Sequence, residues 1–545
     1  MDLESFEEAR PDLESLEGSH RLGRRSFLIG ALATGAAVAA PVNYAAAARK
    51  RRTPRVKHAT FKQGVASGFP RPQGIELWTR LGEIKRTSKL NVVVATDRKF
   101  GNVIAEKSVT AREDRDFTAR TFINGLKPDH HYFYRFVAED SKSPVGRFKT
   151  APPLNSRKPI RIAFYSCQHY EAGFYNAQRA IANEKDLDLV LCLGDYVYEY
   201  SDGPGNGVRL DTTGNNHDGD TQFLKEYWEK YRLYKSDPDL KAMHAAHPFL
   251  STWDDHEVED NYADGQPSSN QQDPSKTQLK DYPRRVPFLE REANGYRAFF
   301  NYMPRARFKG DRRRVYEEYR LGKLVDLMLT DERQYRDRQP CNDEQLDFAG
   351  CADAESPRTM LGAKQRDWLL ENFKASPSTW KVWGTEVMVM ATRLPGNVPA
   401  QVDAWDGYAY ERKQILDFIL GNNVQNVVAL TGDIHTFFAG TAYTTGDKAT
   451  GRAAFPEFVG GSATSHGLPE STGQSPETLA VLAAVNPHIS FYDFVKKGYG
   501  VVEFSKTEAV CELKAVNALQ RGAATPTTIA KFRVPLGART PDRIG

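Results

Sequence analysis

A chain of 545 residues is long for one domain and points to two. Its 40% apolar and 11% aromatic content suits a large core. A formal net charge of +4 is too small and too diffuse over that length to argue for a nucleic-acid partner.

The first element in chain order is a targeting segment. RLGRRSFLIG (Arg21 to Gly30) holds a pair of arginines before a serine and apolar residues, Phe27 to Ala40 is a short apolar run, and NYAAAARK offers small residues for cleavage near Ala48. That order predicts a twin-arginine export signal over residues 1–48, with the translocase as a transient partner and a periplasmic or extracellular destination. The run is too short and too rich in Ala and Gly to span a bilayer well, so no stable membrane insertion is expected. Residues 1–48 carry four Arg against seven Asp or Glu, which leaves the rest three charges more basic and weakly favourable to an anionic substrate.

From about Phe61 to Thr150 the pattern is all strand: KLNVVVAT, TARTFINGL and HHYFYRFVAED alternate and are rich in Val, Phe and Tyr. This predicts an immunoglobulin/fibronectin-like β-sandwich domain over residues 55–152. In GLKPDHHYFYRF (Gly125 to Phe136) a tyrosine after an L-x-P corner is expected to hydrogen-bond back to the chain. RFKTAPPLNSRKP then reads as an exit strand and a linker, with a boundary near Pro152 to Pro159.

Beyond it the pattern changes. RIAFYSC, DLVLCLGD, LVDLMLTDE, WKVWGTEVM and VQNVVALTGD are buried strands, and NAQRAIANEKD, KQRDWLLENFKA and YERKQILDFILG are helices. Apolar strands alternating with helices predict an α/β core with its strands covered on both faces, over residues 160–535. Asp264 to Arg285, rich in Gln and Ser, reads as a surface loop. Cys341 and Cys351 flank a polar, Gly-containing loop and can close a disulfide in an oxidising compartment. Cys192 and Cys511 lie in apolar strands and read as buried thiols. Cys167, at the end of a strand in SCQHY, has no such explanation.

Each core strand ends in chemistry. LGDYVYEY places Asp195 and Tyr198, FLSTWDDHEVEDNYA places Asp254, Asp255, His256 and Glu257, and ALTGDIHTFFAG places Asp433 and His435. Carboxylates and imidazoles at the carboxyl ends of strands are where an α/β site belongs. A cluster of carboxylates repels itself unless cations neutralise it, so metals suit this set better than nucleophile chemistry.

Taken singly, a Gly-Asp after a strand is usually a turn. In combination, SCQ at Ser166–Gln168, LGDYVYE at Leu193–Glu199, WDDHEVEDNYA at Trp253–Ala263, TDERQYR at Thr330–Arg336, WDGY at Trp405–Tyr408 and GDIHTFF at Gly432–Phe438 resemble the alkaline phosphatase D (PhoD-like) family of calcineurin-like metallophosphoesterases. The resemblance implies a four-layer α/β/β/α metallophosphoesterase sandwich behind the N-terminal β-sandwich. It implies Cys167, Asp195, Tyr198 and His435 as ligands to Fe3+, with Asp195 bridging to Ca2+, and Asp255 and Asp433 as calcium ligands. Thiolate and phenolate donors favour ferric iron, and hard carboxylates suit calcium. Asn261 and Glu386 are further candidates, because the family's V-x-x-H histidine is missing here. His256 is expected to donate a proton to the leaving oxygen. Arg333 is expected to clamp a phosphate oxygen, a surface salt bridge being its plain alternative. Asp406 in WDGY matches the family without an evident role, and GGSATS (Gly460 to Ser465) reads as core-completing structure.

The function so implied is that of a secreted, metal-dependent alkaline phosphatase, a monomer hydrolysing phosphomonoesters and phosphodiesters by metal-activated attack. Two alternatives stand beside it. One is a dedicated phosphodiesterase or phospholipase D-like enzyme with little monoesterase activity. The other is a non-catalytic, metal-bound binding protein, which the intact set of chemistry-bearing residues disfavours.

Overall fold

Strands that are apolar on both faces need cover on both sides. The computed structural model, which describes residues 53–268, 285–343 and 350–545, supplies it in four layers. One sheet has ten strands among the described residues, with Ile160–Tyr165, Leu189–Leu193 and Pro248–Thr252 parallel at its centre. The other has seven, with Val325–Leu329, Trp380–Thr385, Val427–Thr431 and Ala453–Gly460 parallel.

The period of two sorts the side chains. Ile162, Phe164, Leu189, Leu191 and Leu193 share one core with Leu327, Leu329, Val382, Val428 and Leu430 of the opposite sheet. Ala163, Tyr165, Val190 and Cys192 turn the other way, onto the helices Leu224–Tyr234 and Phe288–Tyr302. Helices Gly362–Ala375 and Ala409–Gly421 cover the second sheet through Leu369, Phe373, Ile415 and Ile419. These two helices and Asn176–Asn183 stand where the sequence pattern places them.

The N-terminal β-sandwich packs Leu77, Val92, Val94, Tyr134 and Phe136 into a core of its own. The corner tyrosine is Tyr132, whose hydroxyl accepts from the Lys127 backbone N–H at 2.9 Å. Its strands divide between two sheets. Ser88–Ala95, Val103–Ala111, His131–Val137 and Gly146–Lys149 make a four-stranded sheet. Val65–Arg71, Gly74–Arg80 and Thr118–Ile123 instead extend the ten-stranded sheet, Ser67 lying opposite Pro248 in a parallel pair. The change of composition near Pro152 to Pro159 is thus a change of pattern that backbone hydrogen bonding crosses. Alternation specifies a buried face and leaves the neighbouring strand unspecified.

Residues 55–306 and 315–545 form one compact unit, and residues 307–314 belong to another. Cys341 and Cys351 are joined in a disulfide, while Cys167, Cys192 and Cys511 are free and buried. The expected signal over residues 1–48 and most of the Asp264 to Arg285 loop lie outside the described residues. Among the described residues no helix is long and apolar enough to cross a membrane.

Candidate metal centre

The chain leaves each central strand through a tight turn, and those turns put the chemistry in one place. Cys167, Asp195, Asp433 and His435 all have positive φ, between 54° and 66°. Four non-glycine residues in the left-handed region are a cost that a functional site explains. Glycines let the strand ends approach: a Cβ on Gly194 would lie 2.3 Å from the Asp254 Cβ, and one on Gly432 would lie 2.7 Å from the Ser166 Cβ.

Two groups of ligand atoms result, each lying within 4.8 Å of one another: Cys167, Asp195 and His435, and Asp195, Asp255 and His256. Asp195 belongs to both. Its Oδ2 accepts from the Tyr198 hydroxyl at 2.9 Å, whereas its buried Oδ1 has no hydrogen-bond partner. The Tyr198 hydroxyl also lies 3.2 Å from His435 Nε2 and 2.7 Å from Ser465 Oγ. His435 Nδ1 is 2.5 Å from the His466 carbonyl, which fixes the proton there and leaves Nε2 as a lone-pair donor.

The electrostatics fit the same donor set. Burial pushes the Cys167 thiol well up, and Asp195 beside it adds to the effect. Burial does the same to Asp195, reinforced by Asp255 and Asp254 and opposed by His256. Asp433 is pushed up to about 7 by burial, against the pull of Arg333. Burial pulls His435 down to about 3, so its ring is neutral. Thiol, phenol, imidazole and a shared carboxylate with an orphaned oxygen, all reluctant to ionise together, form a donor set that fits cations.

His256 is held differently. Its Nδ1 lies 2.8 Å from Glu199 Oε2, and its ring stacks on Tyr198 with centroids 4.1 Å apart. Burial opposes its charge, but Glu199, Asp255 and Asp195 outweigh that and raise it well above the ordinary histidine value. Asp255 is likewise opposed by burial and held low by Arg333 and His256.

Arg333 is brought to the centre and is tied to carboxylates there. Its guanidinium is fully buried and bonds through Nε to Asp254, through Nη1 to Asp403 at 2.5 Å and through Nη2 to Asp433 at 2.8 Å. A guanidinium with each nitrogen on a carboxylate balances their charge and keeps two of its five N–H groups for other acceptors. It is not the exposed salt bridge that was its alternative. Asn261 donates its backbone N–H to Asp255 Oδ2 at 2.8 Å, and its side-chain amide turns to Asp343 at 3.0 Å. Glu386 accepts from Thr252 Oγ1 at 2.5 Å through Oε1, keeps a buried Oε2 without a hydrogen-bond partner, and lies outside both ligand groups.

Sequence reasoning assigned no role to several supporting residues. Glu257 accepts from the backbone N–H groups of Tyr196 and Asp254 and so ties two strand ends together. Ser465, read as core structure, touches both the Tyr198 hydroxyl and the Cys167 carbonyl, the latter at 2.9 Å. Glu199 and Ser465 both lie inside stretches singled out above, so position was legible and role was not. Asp406 accepts from Thr392 N and Arg412 Nη1 and is structural.

Comparison with known proteins agrees with this geometry. A family model of PhoD-like phosphatases matches residues 162–513, and one of the PhoD-like phosphatase N-terminal domain matches residues 45–152. Alkaline phosphatase D of Bacillus subtilis (strain 168) is 34% identical over 493 residues, covering 86% of this chain and 80% of that protein. A solved structure of PhoD superposes with TM-score 0.77 at 29% identity, covering 90% of this chain and 94% of that one. A purple acid phosphatase from yellow lupin seeds shares the fold alone, with TM-score 0.55 at 11% identity over 87% of this chain and 73% of the other. The chain therefore belongs to the PhoD-like phosphatase family, with a metallophosphoesterase fold and the activity class of a phosphoric ester hydrolase.

Proposed function

We propose that this protein is a metal-dependent alkaline phosphatase, exported by the twin-arginine pathway, that cleaves phosphomonoesters and phosphodiesters. The observation that carries the reading is Asp195, which stands with Cys167 and His435 on one side and beside Asp255 on the other and holds a buried oxygen without a partner. Cys167, Asp195, Tyr198 and His435 would hold Fe3+, and Asp195, Asp255 and Asp433 would hold Ca2+. The soft and phenolic donors suit the first ion and the carboxylates the second. When bound, such ions withdraw charge from phosphoryl oxygens and acidify the attacking water.

The chain's own residues do the rest. Glu199 at Nδ1 keeps His256 an imidazolium, whose Nε2 proton is then available to the leaving oxygen. Arg333, pinned between Asp254, Asp403 and Asp433, balances the carboxylates and holds them in register. The twin-arginine motif and a disulfide support an oxidising destination outside the cytoplasm. Hydrolysis of p-nitrophenyl phosphate and of bis-p-nitrophenyl phosphate, each measured before and after chelation, tests the reading. Both reactions should occur and both should be lost with metal. Diester cleavage without monoester cleavage would instead identify a dedicated phosphodiesterase.

A further inference from the structure

A second cluster of ligand-type side chains lies beside the centre and takes no part in it. His169, Glu171 and Asp202 bring one ring nitrogen and two carboxylate oxygens within 4.8 Å of one another. The closest approaches are 3.5 Å between His169 Nδ1 and Asp202 Oδ2 and 4.0 Å between His169 Nε2 and Glu171 Oε2. His169 is 3% exposed and Glu171 fully buried, while Asp202 reaches toward solvent.

Part of the cluster is unsatisfied. His169 Nε2 and Asp202 Oδ2 are both buried without a hydrogen-bond partner. Lys230, a nearby cation, gives its ammonium to Asp211 Oδ2, the Gly219 carbonyl and the Tyr200 carbonyl. It hydrogen-bonds to neither Glu171 nor Asp202, and its pull on Asp202, like the larger one from His466, is outweighed by burial. A buried ring nitrogen and a carboxylate oxygen without partners cost free energy unless something accepts them.

The backbone is prepared for such a role. Glu171 accepts the N–H groups of Asp202 and Asp211, both at 2.7 Å, and so draws the turn that carries Asp202 toward His169. His169 is fixed through its own backbone, its N–H donating to Ser465 Oγ at 3.2 Å and its carbonyl accepting from Thr464 at 2.7 Å. Its ring stacks on Tyr198 with centroids 4.6 Å apart and an interplanar angle of 27°. His256 stacks on the same ring at 4.1 Å, so the two imidazoles must take opposite faces. Anything that fixes His169 therefore fixes one face of the Tyr198 ring.

We propose that His169, Glu171 and Asp202 bind one divalent transition-metal ion of the zinc type, separate from the ions of the Cys167 centre, and that this ion braces Tyr198. One imidazole nitrogen and two carboxylate oxygens suit a borderline ion with bonds of about 2.0–2.2 Å. Calcium, which wants six or more oxygen ligands, does not fit so small a set.

The test is elemental analysis of the metal-loaded native protein after dialysis against zinc, beside Asp202→Asn and His169→Gln. The iron and calcium content of each sample is read from the same digest. Native protein should retain one zinc per chain more than either variant, with the other metals equal in all three. Zinc should also raise the melting temperature of the native protein and not of the variants. Asp202→Asn keeps shape at a partly exposed position, so it reports even if His169→Gln folds poorly. Equal zinc in native protein and in a folded variant, or no extra zinc in the native protein, would overturn the site.

Discussion

At the scale of single residues, Asp195, Arg333 and His256 show how burial assigns roles. Each is an ionisable side chain taken out of water, and each is stable only through what faces it. His256 faces Glu199, which keeps it protonated. His256→Gln should therefore lower kcat on alkyl phosphates by about 10²–10⁴-fold. The loss should be much smaller on p-nitrophenyl phosphate, whose leaving group needs no proton. Equal losses on the two substrates would remove the proton-donor role.

Arg333 faces only carboxylates, so its loss strands buried negative charge. Arg333→Met should cost about 3–5 kcal/mol in urea denaturation. A variant of native stability with a raised KM would restore the phosphate-clamp role that the motif suggested. The retained arginine was visible in TDERQYR; the direction of its guanidinium was not, because Asp254, Asp403 and Asp433 come from three distant segments.

At the scale of elements, the strand ends bring the ligands together and the helices hold the strands. Helix Leu224–Tyr234 ends at Lys235, whose ammonium is buried 4.7 Å from the Trp78 ring centroid and 3.4 Å from His244 Nε2. Burial pulls Lys235 down to about 7. The unfolded chain binds that proton up to the ordinary lysine range, so it carries more protons than the native state between about pH 7 and 10. Stability from this residue must then rise with pH across that window and fall as pH drops through it. In denaturant titrations, the stability of native protein relative to Lys235→Met should rise by a few kcal/mol from about pH 7 to 10, at about 1.4 kcal/mol per pKa unit. Parallel curves for the two proteins would show that Lys235 is not the cause.

At the scale of the whole molecule, what the sequence showed and what it hid separate by range. Cys167, Asp195, Asp255, Asp433 and His435 each follow a strand within a few residues, so apolar runs ending in polar motifs located them before any fold was known. Strand partners were hidden: nothing in VASGFPR says that Val65–Arg71 joins the sheet of the centre through Pro248. The setting of Glu386 was hidden in the same way, since its partner Thr252 comes from another strand.

The central claim is that Cys167 and Tyr198 hold an iron whose neighbour shares Asp195. Its most direct test is metal content and the visible spectrum of the exported, unchelated protein, native and Cys167→Ser. About one iron per chain with a ligand-to-iron absorption band, both lost or displaced in the variant, is the predicted result. A pair of zinc or manganese ions with no iron, unchanged in Cys167→Ser, would contradict it and return Cys167 to the buried thiols.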